Sequence, residues 1–136
     1  MRRISFNMTQ EQVLKRTTTV TRRLGWRNAK VGERLRAVDR LRSKDAKTLA
    51  IIEVVSVRRE PLFNLLREAD GSGYDGGENN PYAISEMIAE GFPGMRPLDF
   101  VELLTKGNGL STHANNVDVT RIEFRYVDDD AARGTR

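Results

Sequence analysis

The stretch Thr48 to Arg58, TLAIIEVVSVR, constrains this chain more than any other. Ile51, Ile52, Val54, Val55 and Val57 make it almost continuously apolar and β-branched. Such side chains are stiff at χ1 and fit a pleated surface, so the run reads as a strand. A strand without polar alternation is one covered on both faces. The remaining chain must supply that cover. With 136 residues, 38% of them hydrophobic, a single domain with a modest core is expected to do so.

The flanking patterns supply short elements. Ile4, Phe6 and Met8 alternate with polar residues, which predicts a strand over Arg3 to Met8. Thr9 with Gln12 predicts a capping box for a helix over Gln10 to Arg16, with Val13 and Leu14 inward. The run Thr17 to Thr19 ends that helix. Val31-Gly32 reads as a turn, Arg34 to Val38 as a strand, and Leu41 to Lys47 as a polar loop. Pro61 opens a short helix over Leu62 to Arg67. Asp70 to Pro81, DGSGYDGGENNP, predicts a poorly ordered loop, within an insertion over 68–81.

Tyr82 to Glu90 predicts a helix with Ile84, Met87 and Ile88 on its inner face, stopped by Gly91. Pro97 to Thr105 predicts another, with Leu98, Val101 and Leu104 inward, closed by Gly107. Val117 to Val127 predicts a strand with one wet face and a register slip near Thr120. Residues 128–136 read as a polar tail outside a domain spanning 1–127. Four strands and about four helices without a βαβ rhythm predict an α+β fold. Its sheet or barrel is small and mostly antiparallel, with helices on one side.

Several classes of function are excluded. There is no Cys, hence no disulfide, thiolate nucleophile or Cys-based zinc site. His113 stands alone, and Asp70, Asp75 and Glu78 lack calcium-loop spacing, so no metal is expected. There is no phosphate loop, dinucleotide fingerprint or Ser/His/Asp arrangement, so no cofactor is expected either. The start, MRRISFNMTQ, lacks a signal-type apolar segment, and no apolar run approaches a membrane span. A cytoplasmic location is expected, without a membrane partner.

Charge points to a polyanion. Residues 1–42 carry 12 Lys and Arg against 3 Asp and Glu, a balance of +9, while residues 43–136 carry 11 against 16. Clustered guanidinium groups gain from counterion release on a nucleic acid. Within Thr17 to Val38, TTTVTRRLGWRNAKVGERLRAV, the candidate phosphate contacts are Arg22, Arg23, Arg27 and Lys30. Trp26 is open between a stacking platform for a base and ordinary core packing. Arg22 and Arg23 are strand neighbours, so they point to opposite faces and at most one faces a common cleft.

The segments TTTVTRR, KVGERLRAV, EVVSVRREPL, EGFP and TRIEFRYV, in this order, resemble the ASCH domain, a family of small β-barrels related to the PUA-like fold. The resemblance covers roughly Met1 to Val127 and is nearest to short phage and actinobacterial proteins of that type. It implies binding of RNA, other nucleic acid or a modified nucleoside in a cleft beside the barrel. Some members are amidohydrolases acting on N4-acetylcytidine, with a Lys/Thr/Glu trio. Laid on this chain, the Thr falls on Thr21, the Glu on Glu90 and the Lys on Thr18. The family's Arg, two residues after its Thr, falls on Arg23. A Thr nucleophile needs an adjacent base, which Thr18 is not and which Lys15 is badly placed to be. The expected function is therefore nucleic-acid binding. The alternatives are an amide hydrolase on N4-acylated cytosine and a phage accessory protein that binds a host protein.

Overall fold

The computed structural model describes residues 1–42, 44–70, 73–109 and 117–127. Five strands form one sheet: β1 (Arg2–Ser5), β2 (Val20–Arg23), β3 (Arg34–Val38), β4 (Thr48–Pro61) and β5 (Asp118–Val127). Their spatial order is β1-β3-β4-β5-β2. Only β1 and β3 pair in parallel, and the other three pairings are antiparallel. The helices are α1 (Gln10–Leu14), a 3₁₀ turn (Leu62–Leu66), α2 (Pro81–Ala89) and α3 (Pro97–Gly107). The expected α+β class and mostly antiparallel sheet are what the chain forms. The strand absent from the expected four is β2, which emerges from the Thr run.

The run that anchors the fold is the 14-residue β4, at the centre of the sheet. Ile52 and Val54 are fully buried, but Val55 is 43% exposed. The reason is a bulge: Val54 pairs with Phe124 and Ser56 with Glu123, which leaves Val55 without a partner. The register slip thus lies in β4 rather than at Thr120 of β5. Nor does β5 keep a wet face at its start, since Val119, Thr120, Arg121 and Ile122 are all buried.

Two cores result. The sheet encloses Ile4, Phe6, Leu35, Ile52, Ile122 and Phe124, joined by Val13 of α1. The second core lies among the helices, with Leu62, Leu65, Met87, Phe100, Val101 and Val119. The sheet is curled, so its two edges approach each other. Arg23 at the end of β2 donates to the Ser5 carbonyl at the end of β1. Phe6 meets Phe124 edge-on at 5.8 Å. The edges do not pair, and an open seam is left between them.

Some local expectations need correction. Thr9 stands at the N-cap of α1 but makes no side-chain cap bond, and Gln12 donates to the Gly91 carbonyl instead. Leu14 is 60% exposed. In α2 the buried residues are Ala83, Glu86 and Met87, while Ile84 and Ile88 face water. In α3 the buried set is Pro97, Phe100, Val101 and Thr105, with Leu98 and Leu104 half-buried. The Gly-rich loop is tied at several points. Tyr74 stacks on Phe63, Asp75 donates its N–H to the Leu66 carbonyl, and Asn80 caps α2 through Tyr82 and Ala83. His113 and the tail at 128–136 lie outside the described residues. Among the described residues no helix is long and apolar enough to cross a membrane.

Candidate functional site

The alternation of β2 decides the site. Arg22 pairs with Arg121 of β5, which pairs with Arg58 of β4, so three arginines stand in one row across three strands. Like charges in adjacent strand positions repel, and such a row needs carboxylates over it. Glu60 follows on β4, and α2 lies across the row with Glu86 and Glu90 turned inward. This is why α2 buries two acids and exposes two isoleucines.

Arg22 is the hub. Its side chain is wholly buried. Nε donates to Glu60 at 2.8 Å, Nη1 to Glu90 at 2.9 Å, and Nη2 to Tyr82 at 3.0 Å and to Glu86. Arg121 holds Glu86 through two bonds at 2.6 and 3.1 Å, and Tyr82 donates its hydroxyl proton to Glu60 at 2.7 Å. Burial alone would weaken the Arg22 proton affinity. The charges of Glu90, Glu60 and Glu86 outweigh it and raise the pKa. Arg22 is therefore a structural ion, wholly buried among three carboxylates and out of reach of a phosphate. The phosphate-clamp reading of Arg22 is corrected on that ground.

Arg58 is half exposed, which leaves Arg22 and Arg121 as the buried cations against Glu60, Glu86 and Glu90. Arg58 adds a half-exposed ion pair to Glu60 at 3.6 Å, so only the enclosed part of the network has one carboxylate in surplus. Glu86 keeps its pKa below the ordinary value, because the Arg121 hydrogen bond and the Arg22 charge overcome burial. The Glu90 carboxylate accepts a single hydrogen bond among the described residues, from Arg22. Burial pushes its carboxyl up to about 7, against the pull of Arg22 and Arg23 and with the repulsion of Glu86. Glu90 thus exchanges its proton near neutral pH.

Glu90 reaches this place through a close approach of backbones. Thr19 donates its N–H to the Ala89 carbonyl, and Thr18 donates its hydroxyl to the same oxygen at 2.9 Å. Gly91, at φ +96°, lies so near Thr18 that a Cβ there would stand 3.2 Å from the Thr18 Cβ. Thr18 is consumed by this joint.

The seam opens as a pocket of about 300 Å³. Ser5 to Thr9 form one wall and Val20 to Leu24 another; Glu90 and Phe92 close one end, and Phe100, Leu103 and Leu104 line the α3 side. Thr21 and Glu90, expected to share a site, do line the same pocket, and Arg23 joins them. Arg23 donates through Nε to the Thr21 hydroxyl at 2.9 Å, and its guanidinium lies 5.0 Å from the Phe6 ring centroid. No carboxylate lies within ion-pair distance of it among the described residues, and burial lowers its pKa to about 10. Thr21 has no hydrogen bond to a carboxylate or amine there, so its hydroxyl lacks the base a nucleophile needs.

The other candidates lie elsewhere. The half-buried Trp26 packs against the sheet core, and Arg2, itself clamped by Glu33, covers its ring at 4.6 Å. That contact occupies the face a base would need. Arg27 and Lys30 are exposed, and Lys30 borders a shallow depression with Arg2 and Glu33. Lys15 pairs with Glu11 on the surface and is not part of the seam lining. The sequence reading missed Phe6, Phe92 and Phe100 as pocket walls and Glu60, Glu86 and Arg121 as network members. One usable signal existed: Glu86 and Glu90 are four apart, on the α2 face that also carries Ala83 and Met87.

Neither a protein-family model nor a curated protein matches this sequence. Among solved structures, the chain is similar to the crystal structure of an ASCH domain from Lactobacillus crispatus. Identity is 14%, the TM-score is 0.48, and the match covers 92% of this chain and 78% of that one.

Proposed function

We propose that the protein binds single-stranded RNA, or a modified nucleoside from it, by seating one base in the seam pocket. One observation carries this: Thr21, Arg23 and Glu90 meet on a pocket whose apolar lining includes Phe6, Phe92, Phe100 and three leucines. A base has two apolar faces and a polar edge, so it calls for flat apolar cover with a few hydrogen-bonding groups on one side. At about 300 Å³ the pocket is at the small end of ligand sites, the scale of one nucleoside. Exposed Arg27 and Lys30 serve as outlying phosphate contacts.

Hydrolysis of an N4-acyl group is the second reading. Glu90 favours it, being poised to trade a proton near neutral pH. Thr18 and the unassisted Thr21 oppose it, since activation of the hydroxyl has no base. Turnover of N4-acetylcytidine is expected to stay at background.

Fluorescence anisotropy with a labelled single-stranded RNA tests the binding reading. Arg23→Gln should weaken binding at least tenfold with the thermal midpoint checked in parallel. Arg27→Gln should weaken it only a few-fold. Binding that survives loss of Arg23 and vanishes with Arg27 and Lys30 would move the site off the seam.

A further inference from the structure

We infer that the seam pocket selects a nucleotide by its phosphate monoester, with Arg23 as the anion-binding group and Glu90 beside it in the pocket lining. This rests on reading the seam as a base pocket. The starting point is an imbalance of partners. Arg22 is shared among three carboxylates, whereas Arg23, the next residue, has no ion pair among the described residues. Its bonds are to neutral oxygens, Thr21 Oγ1 and the Ser5 carbonyl. These fix the guanidinium across the seam, with Phe6 against it. A guanidinium held in a partly apolar pocket without a direct ion pair among the described residues is a prepared seat for a planar or tetrahedral oxyanion.

Arg23 joins the two edge strands and sits in the pocket wall, so an anion there lies inside the pocket, beside the space for a ring. A phosphate monoester on the same molecule as the base meets both demands. Two sources carry this group: a free mononucleotide and the phosphorylated end of an RNA strand.

Glu90 sets the sign of the pH dependence. The charged groups facing it are Arg22 and Arg23 from β2 and Glu86 on its own helix, with Arg121 of β5 and Glu60 of β4 behind them. Ionised, Glu90 adds a negative charge close to the anion seat and partly neutralises Arg23. Protonated, it leaves the seat fully cationic and offers an O–H donor. Anion binding and proton retention on Glu90 therefore favour each other, by linkage.

Titration calorimetry on the whole chain tests this with cytidine and cytidine 5′-monophosphate at pH 6 and pH 8. The monophosphate should bind at least tenfold more tightly than cytidine. Arg23→Gln should weaken the monophosphate far more than cytidine and so close that difference, and Arg23→Lys should restore part of it. The phosphate gains charge over the same pH range, so the pH effect is read as wild type relative to Glu90→Gln. That ratio should favour wild type at pH 6 more than at pH 8. A short RNA with a 5′-phosphate, compared with its 5′-hydroxyl form, distinguishes a strand end from a free nucleotide; preference for the phosphate in either source supports the inference. Equal binding of cytidine and its monophosphate would overturn the inference and leave the base pocket standing. Binding of neither compound would overturn both.

Discussion

Arg22 and Arg23 are adjacent, yet one is a structural ion and the other faces a pocket. Strand alternation separates them, and that much was readable from two neighbouring letters. The fate of Arg22 was not, because its partners Glu60, Glu86 and Glu90 lie 38, 64 and 68 residues away. Removing the hub leaves three carboxylates buried with too little countercharge. Arg22→Met should cost about 3–5 kcal/mol in urea unfolding at neutral pH, the usual result of breaking a buried pair from one side. Glu90 gives a pH signature. Its carboxyl rises from 4.5 to about 7 in the fold, so the folded chain holds a proton that the unfolded chain has released. Stability should therefore be greatest at the low end of that window and fall as pH rises from about 4.5 to about 7. Glu86 shifts the other way, and its contribution is lost only as pH falls through the acid range below that window. Urea midpoints at about pH 5 and pH 7.5 should show this fall in wild type and a flatter profile in Glu90→Gln. A wild-type stability that climbs across the window would contradict the assignment.

At the scale of elements, the sequence placed most helices and strands and misjudged which faces they bury. For α2 the apolar pattern favoured Ile84, Met87 and Ile88. The observed face is set by Glu86 and Glu90, which the arginine row across β4, β5 and β2 draws inward. A local hydrophobic pattern cannot register a demand that comes from another layer. Met87→Ala should cost about 2–5 kcal/mol, as for other buried large-to-small changes, whereas Ile88→Ala should stay within about 0.5 kcal/mol. Thermal or urea unfolding of the pair decides the orientation of the helix. In β4 the apolar run was legible and its bulge at Val55 was not, because the extra residue is defined only against Phe124 and Glu123 of the partner strand. The Thr run hid β2 in the same way: β-branched residues announced extended chain, but only pairing with β5 makes it a strand.

The whole molecule joins a cationic N-terminal third to a seam closed by one arginine. The charge asymmetry was plain in the sequence, and part of it is spent inside the protein on Arg22 and on surface pairs such as Arg2–Glu33 and Arg34–Glu53. With about 3 phosphate contacts left, log K for single-stranded RNA should fall with log salt at a slope of about −2. A steeper slope would place more of the binding on the exposed basic surface than on the pocket. The pocket itself was legible only through the resemblance of TTTVTRR and EGFP, which carried Thr21, Arg23 and Glu90; its aromatic walls come from three separate segments. The most direct measurement is an NMR chemical-shift titration of the labelled protein with a short single-stranded RNA. The largest shifts should fall on Phe6, Thr21, Arg23, Glu90 and Phe92, around the seam. Shifts concentrated instead on Trp26, Arg27 and Lys30, with the seam unmoved, would contradict it.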